Sequence, residues 1–248
     1  GRPVLRGFPL HRLVFLEVIM ETLFNGFTLE IAPGTFPLST DSLALADFVR
    51  LPKQAKVLDL GSGCGTIGLL LCAKDDSCRV TGVELDQKAH DQAAENIARN
   101  DLASRLSSIC ADLTGIAHTW DPGKFDLCVS NPPYFTAGFL SKATPTARHE
   151  ETCSLDALIR TAAWVLKFGG DFYLVHKPER LAEIISAVCK YSLEPKRLRL
   201  LRHREDGPVC LILLQCRKGA KPGLIWEEAA LQDRNHQPTD YYKALYHL

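Results

Sequence analysis

The chain has 248 residues, of which 46% are hydrophobic and 23% charged, and its basic and acidic side chains are equal in number. This balance is typical of a globular protein, and it excludes both a disordered chain and a surface devoted throughout to polyanion binding. No apolar run approaches the roughly 20 residues that a transmembrane helix needs, so we expect no membrane partner. The length fits one large α/β domain with small additions.

The nine cysteines form no Cys-x-x-Cys pair, and the eight histidines are scattered along the chain. Most of the cysteines lie in apolar runs, where a thiol behaves as a small hydrophobic group. The pattern therefore predicts neither a disulfide framework nor a zinc site, and we expect no bound metal. Because no signal-peptide pattern follows the first residues, we expect a cytoplasmic protein.

Two short elements are predicted near the N-terminus. Residues 27–31 alternate like a β-strand, and residues 41–49 follow a helical period with Thr40 or Asp41 as the cap. We predict that residues 1–50 form an extension that covers the cofactor edge of the main domain.

The main domain is predicted over residues 51–220, where short β-branched runs alternate with longer helical stretches. This alternation is typical of a parallel sheet covered by helices. Parallel strands are predicted at residues 56–60, 79–84, 107–111, 125–129 and 171–175. Helices are predicted at residues 66–74, 86–100, 154–167 and 178–191.

The end of the last predicted helix before the fifth strand and a final pair of strands complete the predicted fold. Gly169 and Gly170 are predicted to end the helix before the fifth strand. Two last strands, at residues 197–201 and 209–215, are separated only by a short polar stretch, which implies an antiparallel hairpin. We therefore predict a Rossmann-like α/β fold with a mostly parallel seven-stranded sheet, a C-terminal antiparallel hairpin and helices on both faces. Residues 221–248 are predicted to form a C-terminal tail.

A glycine-rich loop follows the first predicted strand of the main domain and opens a helix. Gly61, Gly63 and Gly65 have the spacing G-x-G-x-G, which lets a ligand approach the backbone closely. This spacing is one residue shorter than the dinucleotide motif that holds a pyrophosphate at a helix N-terminus. The methionine part of S-adenosyl-L-methionine instead carries its own ammonium group, for which Asp59 is an acceptor.

Two further acids follow the next strands at the same edge. Glu84 is placed to accept both ribose hydroxyls of a nucleoside, and Asp112 is placed to accept its adenine amino group. Thr40, Leu85 and Leu113 are expected to contact the cofactor as well. Each acid alone also fits a plain structural role, such as a turn cap. In combination the acids indicate S-adenosyl-L-methionine as the cofactor, with another Rossmann-like nucleotide binder as the alternative.

The tetrapeptide Asn131, Pro132, Pro133 and Tyr134 ends the fourth predicted strand and is the candidate catalytic motif. A planar amino nitrogen is a poor nucleophile. The Asn131 side-chain oxygen and the Pro132 carbonyl would accept its two hydrogens and draw it toward sp³ character, with Asn131 also beside the cofactor. Tyr134 offers an aromatic face for a planar substrate. A rigid turn with a half-buried tyrosine is the alternative interpretation.

The glycine-rich loop and this tetrapeptide together resemble the amino-group methyltransferases, which include adenine-N6 and protein glutamine enzymes. A narrower similarity is to the bacterial tRNA(Val) (adenine-N6)-methyltransferases, which modify the adenine next to the anticodon. It is carried by TDSLALA at residues 40–46, ARHE at 147–150 and LKFGG at 166–170. The resemblance implies a class I methyltransferase fold, tRNA as the partner, and a substrate-side loop that carries Arg148 and His149.

A basic flank also bears on the substrate. From Lys177 to Lys221 there are 11 Lys and Arg residues against five acids. This excess is a candidate RNA interface, and a solvated rim around buried strands fits it equally well. Four functions therefore stay open: an adenine-N6 enzyme acting on tRNA, a protein glutamine N5-methyltransferase, a guanine N2-methyltransferase acting on rRNA, and a non-catalytic RNA-binding module. The sequence does not indicate an oligomeric state.

Overall fold

The structure is a computed structural model that describes residues 19–31, 38–132 and 155–247. The strands of these residues are β1 (Ile19–Thr22), β2 (Thr28–Ile31), β3 (Lys56–Leu60), β4 (Arg79–Glu84), β5 (Leu106–Cys110), β6 (Phe125–Ser130), β7 (Leu166–His176), β8 (Leu193–Arg204), β9 (Val209–Lys218) and β10 (Ile225–Gln232). The helices are α1 (Thr40–Phe48), α2 (Thr66–Lys74), α3 (Gln87–Arg99), α4 (Leu113–Thr119), α5 (Leu155–Val165), α6 (Leu181–Lys190) and α7 (Asp240–Tyr246).

The main sheet has the strand order β10-β8-β9-β7-β6-β3-β4-β5. The five strands from β5 to β7 are parallel, as predicted, and β8 and β9 form the predicted antiparallel hairpin. The chain moves outward from β3 to β4 and β5 and then returns to place β6 on the other side of β3. The strand order therefore reverses between β3 and β6, and ligands of open α/β sheets bind at such a reversal.

The sheet has eight strands, one more than predicted, because β10 pairs in parallel with β8 at the edge of the sheet. Charge complementarity supports this pairing: the Glu227 carboxylate lies 2.8 Å from Arg197 Nε and 2.9 Å from Arg199 Nη2. The apolar alternation of residues 225–232 is interrupted by two glutamates. Hydrophobic periodicity alone therefore does not identify this strand.

The glycine pair near residue 170 lies within a strand, so the predicted helix end there was wrong. Helix α5 ends at Val165, and β7 begins at once with Leu166. Gly169 has a φ of +80°, and the register against β6 shifts between Leu166 and Asp171. These glycines form a bulge inside β7, and a Cβ at Gly170 would lie 2.9 Å from the Asp126 carbonyl oxygen.

The helix starts agree with the prediction in part. Asp86 caps α3, as expected, by accepting a hydrogen bond from the Ala89 backbone at 2.9 Å. The cap of α1 is Ser39 rather than Thr40 or Asp41, since the Ser39 hydroxyl accepts from the Ser42 backbone. Helix α4 was not predicted.

Helices cover both faces of the main sheet, as predicted. One buried apolar cluster packs α1, α2, α3 and α7 against the sheet, and a second cluster packs α4, α5 and α6 against the other face. The β1–β2 hairpin stands apart from the main sheet and binds α3, because Asn96 and Asn100 exchange hydrogen bonds with the backbone of Glu30 and Thr28. Among the helices of the described residues, none has both the length and the apolar character required to cross a membrane.

Candidate cofactor and catalytic site

The predicted site residues lie along the carboxyl edge of the parallel strands. The glycine-rich loop follows β3, Glu84 ends β4, Asp112 follows β5 and Asn131 follows β6. In the sheet these strands are neighbours in the order β5-β4-β3-β6. The structure thus brings the acids, the glycines and Asn131 to one edge, with the loop and Asn131 on either side of the reversal in strand order.

The glycine-rich loop is held by the neighbouring strand. The amides of Gly61 and Ser62 donate to the Val83 carbonyl at 2.9 and 3.0 Å. Gly61, Gly63 and Gly65 have φ values of +75°, +55° and +86°, which only glycine adopts readily. A Cβ added at Gly61 or Gly63 would meet no atom of the described residues within 4 Å. These two glycines therefore border open space at the sheet edge, which is the cradle that a ligand needs.

Asp59 is the most unusual ionisable group of the site. Its side chain is buried at the end of β3, and neither carboxylate oxygen has a hydrogen-bond partner among the described residues. Burial raises the pKa of Asp59, the nearby Glu84 charge raises it further, and the Gly68 amide opposes the shift, with a result of about 8. A buried carboxyl group without a partner is costly, and such groups are common where a ligand supplies the missing donor, which makes Asp59 a candidate binding residue.

A second buried polar group accompanies Asp59. The Ser62 hydroxyl also has no hydrogen-bond partner among the described residues. It lies over Gly82 in β4, where an added Cβ would come within 2.6 Å of the Ser62 hydroxyl oxygen. Gly82 is thus needed to make room for this hydroxyl, and the sequence did not indicate either residue.

The Glu84 carboxylate is oriented by two backbone amides. One oxygen accepts from the Gly63 amide and the other from the Asp86 amide, each at 2.8 Å. These bonds connect the glycine-rich loop to the end of β4 and hold the carboxylate at the open side of the sheet edge. Leu85 is 37% exposed and adds an apolar surface beside it.

Asp112 and its neighbour have defined structural roles. The Asp112 carboxylate accepts from the Thr114 backbone amide at 2.8 Å and caps α4. Leu113 is buried in the apolar cluster beneath that helix. The cap fixes where the Asp112 side chain lies at the sheet edge.

Asn131 and Pro132 are the described part of the candidate catalytic motif. The Asn131 side-chain nitrogen donates to the Ser42 hydroxyl at 3.2 Å. Just before it, the buried Ser130 hydroxyl donates to the Leu60 carbonyl at 2.7 Å and ties the ends of β6 and β3 together. Pro133, Tyr134, Arg148 and His149 lie outside the described residues.

Thr40 lies at the start of α1, where it contacts the C-terminal helix. Its hydroxyl is 2.7 Å from the Tyr246 hydroxyl of α7. Ser42, two residues further along α1, is the residue that contacts Asn131. Sequence reasoning missed Ser42 and Tyr246. The only signal for Ser42 was its place within the stretch of residues 40–46.

The basic flank is divided between the two edges of the sheet. Lys177 follows β7 and Arg202 lies near the end of β8, so both are near the carboxyl edge of the parallel strands, where Asn131 lies. Lys196, Arg217 and Lys221 lie at the opposite edge, because β9 runs in the reverse direction. Acids offset part of this charge in the ion pairs Arg180 with Glu183, Arg204 with Asp206 and Arg217 with Asp171. The flank is therefore not one continuous face.

The fold and this sheet edge define a Rossmann-like methyltransferase. The chain belongs to the methyltransferase small domain family, whose model matches residues 38–190. More particularly, it is similar to the curated tRNA1(Val) (adenine(37)-N6)-methyltransferase of Photobacterium profundum, with 31% identity over 77% of this chain and 82% of that protein. The enzyme of the same name from Dickeya chrysanthemi is 34% identical over 74% of each chain. The family resemblance predicted from the motifs is confirmed.

Solved structures confirm the fold class. A predicted O-methyltransferase from Agrobacterium tumefaciens superposes with a TM-score of 0.70 at 23% identity, over 84% of this chain and 96% of that chain. A T. thermophilus 16S rRNA methyltransferase, solved with AdoMet and guanosine, has a TM-score of 0.58 at 22% identity, over 82% of this chain and 50% of that chain.

Proposed function

We propose that this protein is an S-adenosyl-L-methionine-dependent N-methyltransferase that methylates the N6 amino group of an adenine in tRNA. The observation that carries the proposal is the position of Asn131 beside the glycine-rich loop and Asp59, at the reversal of the strand order. The names of the curated relatives support adenine-N6 and tRNA as the acceptor. A cytoplasmic location agrees with such a substrate.

The residues of the sheet edge fit the chemistry of the methyl donor. S-adenosyl-L-methionine supplies a methyl group on a positively charged sulfur when it is bound. Asp59 would offer two buried oxygens to the ammonium group of the methionine part, and neither oxygen has a hydrogen-bond partner within the described part of the chain. Glu84, held by the Gly63 and Asp86 amides, is positioned to accept the ribose hydroxyls. Asp112 and Leu85 would border the adenine, and the open side of Gly61 and Gly63 accommodates the ligand.

The protein contributes positioning to the reaction rather than a strong base. Asn131 and the Pro132 carbonyl would accept the two hydrogens of the target amino group and align its lone pair with the methyl group. Two acceptors of this kind favour the pyramidal nitrogen of the transition state over the planar ground state. The proton lost from nitrogen after methyl transfer passes to solvent.

The substrate would enter from the same edge as an unstacked base. A base amino group within a stacked helix cannot reach the methyl donor, so the adenine must be splayed out of a loop. Pro133 and Tyr134 would complete the pocket, with Tyr134 stacking on the base. Arg148 and His149 would contact the RNA outside it. This assignment of the substrate side rests on the family resemblance.

One experiment distinguishes the candidate functions. The purified protein is incubated with methyl-labelled S-adenosyl-L-methionine and, separately, with total tRNA, rRNA or a release-factor extract. We expect label in tRNA that nuclease digestion releases as N6-methyladenosine. Label found only in protein or only in rRNA would contradict the proposal, and an absence of S-adenosyl-L-methionine binding in calorimetry would contradict every enzymatic candidate.

A further inference from the structure

Ser42 is a buried hydroxyl beside the candidate catalytic motif, and it lies outside the tetrapeptide of residues 131–134. It lies in the first turn of α1 and is 6% exposed. Its oxygen is 3.2 Å from the Asn131 side-chain nitrogen, although the two residues are 89 positions apart in the chain. Helix α1 thus contributes a side chain to the carboxyl edge of the parallel strands.

The hydroxyl of Ser42 connects Asn131 to the cap of α1. Ser39 Oγ lies 3.3 Å from Ser42 Oγ and also accepts from the Ser42 backbone amide. If the Ser42 hydroxyl donates to Ser39, its lone pair is available to accept from Asn131. The hydrogen bonds then run in one direction, from Asn131 to Ser42 to Ser39.

The direction of this chain of bonds matters because an asparagine amide has two different ends. An amino nitrogen that is to be methylated offers hydrogens to its surroundings, so the amide must meet it with oxygen. An Asn131 amide in the reversed orientation would place its own N–H groups against the N–H groups of the acceptor nitrogen. The bond from Nδ2 to Ser42 favours the productive orientation, since it directs Oδ1 away from α1.

We propose that Ser42 is a positioning residue, which holds the Asn131 amide with its oxygen toward the acceptor nitrogen. This inference rests on the proposed function in one respect, that the acceptor is an amino or amide nitrogen. Ser42 does not touch the reacting atoms. It acts through Asn131 by removing the reversed orientation of the amide.

Helix α1 is anchored well enough to serve this purpose. The Lys74 ammonium donates to the carbonyls of Ala46, Asp47 and Val49 at the C-terminal end of the helix, at 2.6 to 2.9 Å. At the other end, Thr40 contacts Tyr246 of α7. Because both ends are fixed, Ser42 is held in place relative to β6.

The kinetic test compares Ser42→Ala, Ser42→Thr and the control Ser104→Ala, an exposed serine at the opposite edge of the sheet. We expect Ser42→Ala to lower kcat for tRNA methylation about tenfold, which corresponds to one neutral hydrogen bond, with KM and cofactor Kd changed less than about twofold. Ser42→Thr retains a hydroxyl and should recover most of kcat. Ser104→Ala should match the wild type.

A double variant separates positioning from a general structural role. Once Asn131→Ala has removed the amide, adding Ser42→Ala should slow methyl transfer no further. An additive loss in the double variant would overturn the proposal, and so would a wild-type kcat for Ser42→Ala. If the wild-type protein methylates a different nitrogen acceptor, the same comparison is made on that acceptor, so that the proposed substrate and the role of Ser42 fail separately.

A spectroscopic readout needs no substrate at all. The side-chain NH₂ signals of Asn131 in a ¹⁵N correlation spectrum are assigned by their loss in Asn131→Ala. We expect Ser42→Ala to shift these signals, because one N–H loses its acceptor, while Ser104→Ala leaves them in place. Unchanged Asn131 signals in a folded Ser42→Ala protein would overturn the proposal even if no tRNA methylation is found.

Discussion

The Asp59 carboxyl group is buried without a hydrogen-bond partner among the described residues, and this lowers the stability of the free protein at neutral pH because the folded state must take up a proton. In the proposed function, the same buried group would accept from a ligand that carries a positive charge. Glu84 and Asp112 show the opposite arrangement, in which backbone amides satisfy and orient the carboxylate. At the residue scale, we therefore propose Asp59 as a binding group, whereas Glu84 and Asp112 also have structural roles.

Asp59→Asn is predicted to change the pH dependence of stability. With a pKa of about 8, against an ordinary value of 3.8, the folded protein holds a proton that the unfolded chain has lost. The stability of the wild type therefore falls as pH rises from about 4 to about 8 and then levels off. The asparagine variant lacks this loss, so the difference in unfolding free energy between the variant and the wild type should increase in favour of the variant over that pH interval.

Urea unfolding of the cofactor-free proteins at pH 5 and pH 8.5 measures this effect. Asp76→Asn, at an exposed position, is the control and should follow the wild type. The same Asp59→Asn protein should bind S-adenosyl-L-methionine more weakly. Parallel pH profiles for the wild type and Asp59→Asn would show that the Asp59 carboxyl is not protonated in the folded state.

Asn131→Ala is predicted to separate binding from catalysis. The alanine removes an acceptor for the target amino group while the glycine-rich loop and Glu84 stay unchanged. We expect methyl transfer to fall by about 10²–10³, as when one donor or acceptor to a transition state is removed, with cofactor Kd nearly constant. Single-turnover kinetics and calorimetry measure the two quantities, and an equal loss of both would contradict the division of roles.

The element that forms the proposed cofactor cradle is the turn between β3 and α2. Its three glycines have left-handed backbone conformations, and the amides of Gly61 and Gly63 donate to Val83 and Glu84 at the end of β4. The turn therefore depends on both its own sequence and the neighbouring strand. A side chain at Gly63 would strain the backbone and also occupy the space proposed for the ligand.

Gly63→Ala tests that element against a matched control. Gly26, in the turn between β1 and β2, has a φ of +87°, and an added Cβ there also meets no atom within 4 Å. Both alanine variants should lose about 1 kcal/mol of stability from the left-handed conformation. Only Gly63→Ala should weaken S-adenosyl-L-methionine binding, by about tenfold or more in calorimetry. Equal cofactor affinities in the two variants would argue against a cradle at Gly63.

Across the whole molecule, the division of the basic flank limits where RNA can be bound. Lys177 follows β7, the neighbour of β6, and is therefore close to Asn131. Lys221 lies at the far edge, before β10. A strand of six residues spans about 20 Å, so the two lysines face different parts of the solvent. An RNA loop inserted at Asn131 would meet Lys177 first.

Charge reversal at these two positions tests this placement. Lys177→Glu should raise KM for tRNA about fivefold to tenfold and reduce its salt dependence, because a phosphate contact is replaced by a repulsion. Lys221→Glu makes the same change of charge and should alter KM less than about twofold. Steady-state kinetics at two salt concentrations provide the comparison. Equal effects would mean that RNA also contacts the opposite edge.

The local sequence pattern was sufficient to predict much of the fold. The β-branched runs of β3, β4 and β6 identify buried parallel strands because both faces of such strands are covered. It was insufficient at Gly169 and Gly170, since a glycine pair ends a helix or forms a bulge with equal ease. It also failed for β10, whose Glu227 pairs with Arg197 and Arg199 of β8 and whose Glu228 pairs with Arg202.

The sequence by itself determined the class of chemistry, because the glycine spacing, Asp59 and the Asn131 motif each follow a recognisable strand, and strand ends of a parallel sheet meet at one edge. Tertiary structure alone decided which groups there lack a partner among the described residues, which are oriented by backbone amides, and that Ser42 of α1 contacts Asn131. It also divided the basic flank between two edges. The reason is physical: hydrogen-bond partners and exposure depend on contacts between residues far apart in the chain, which periodicity and spacing do not encode.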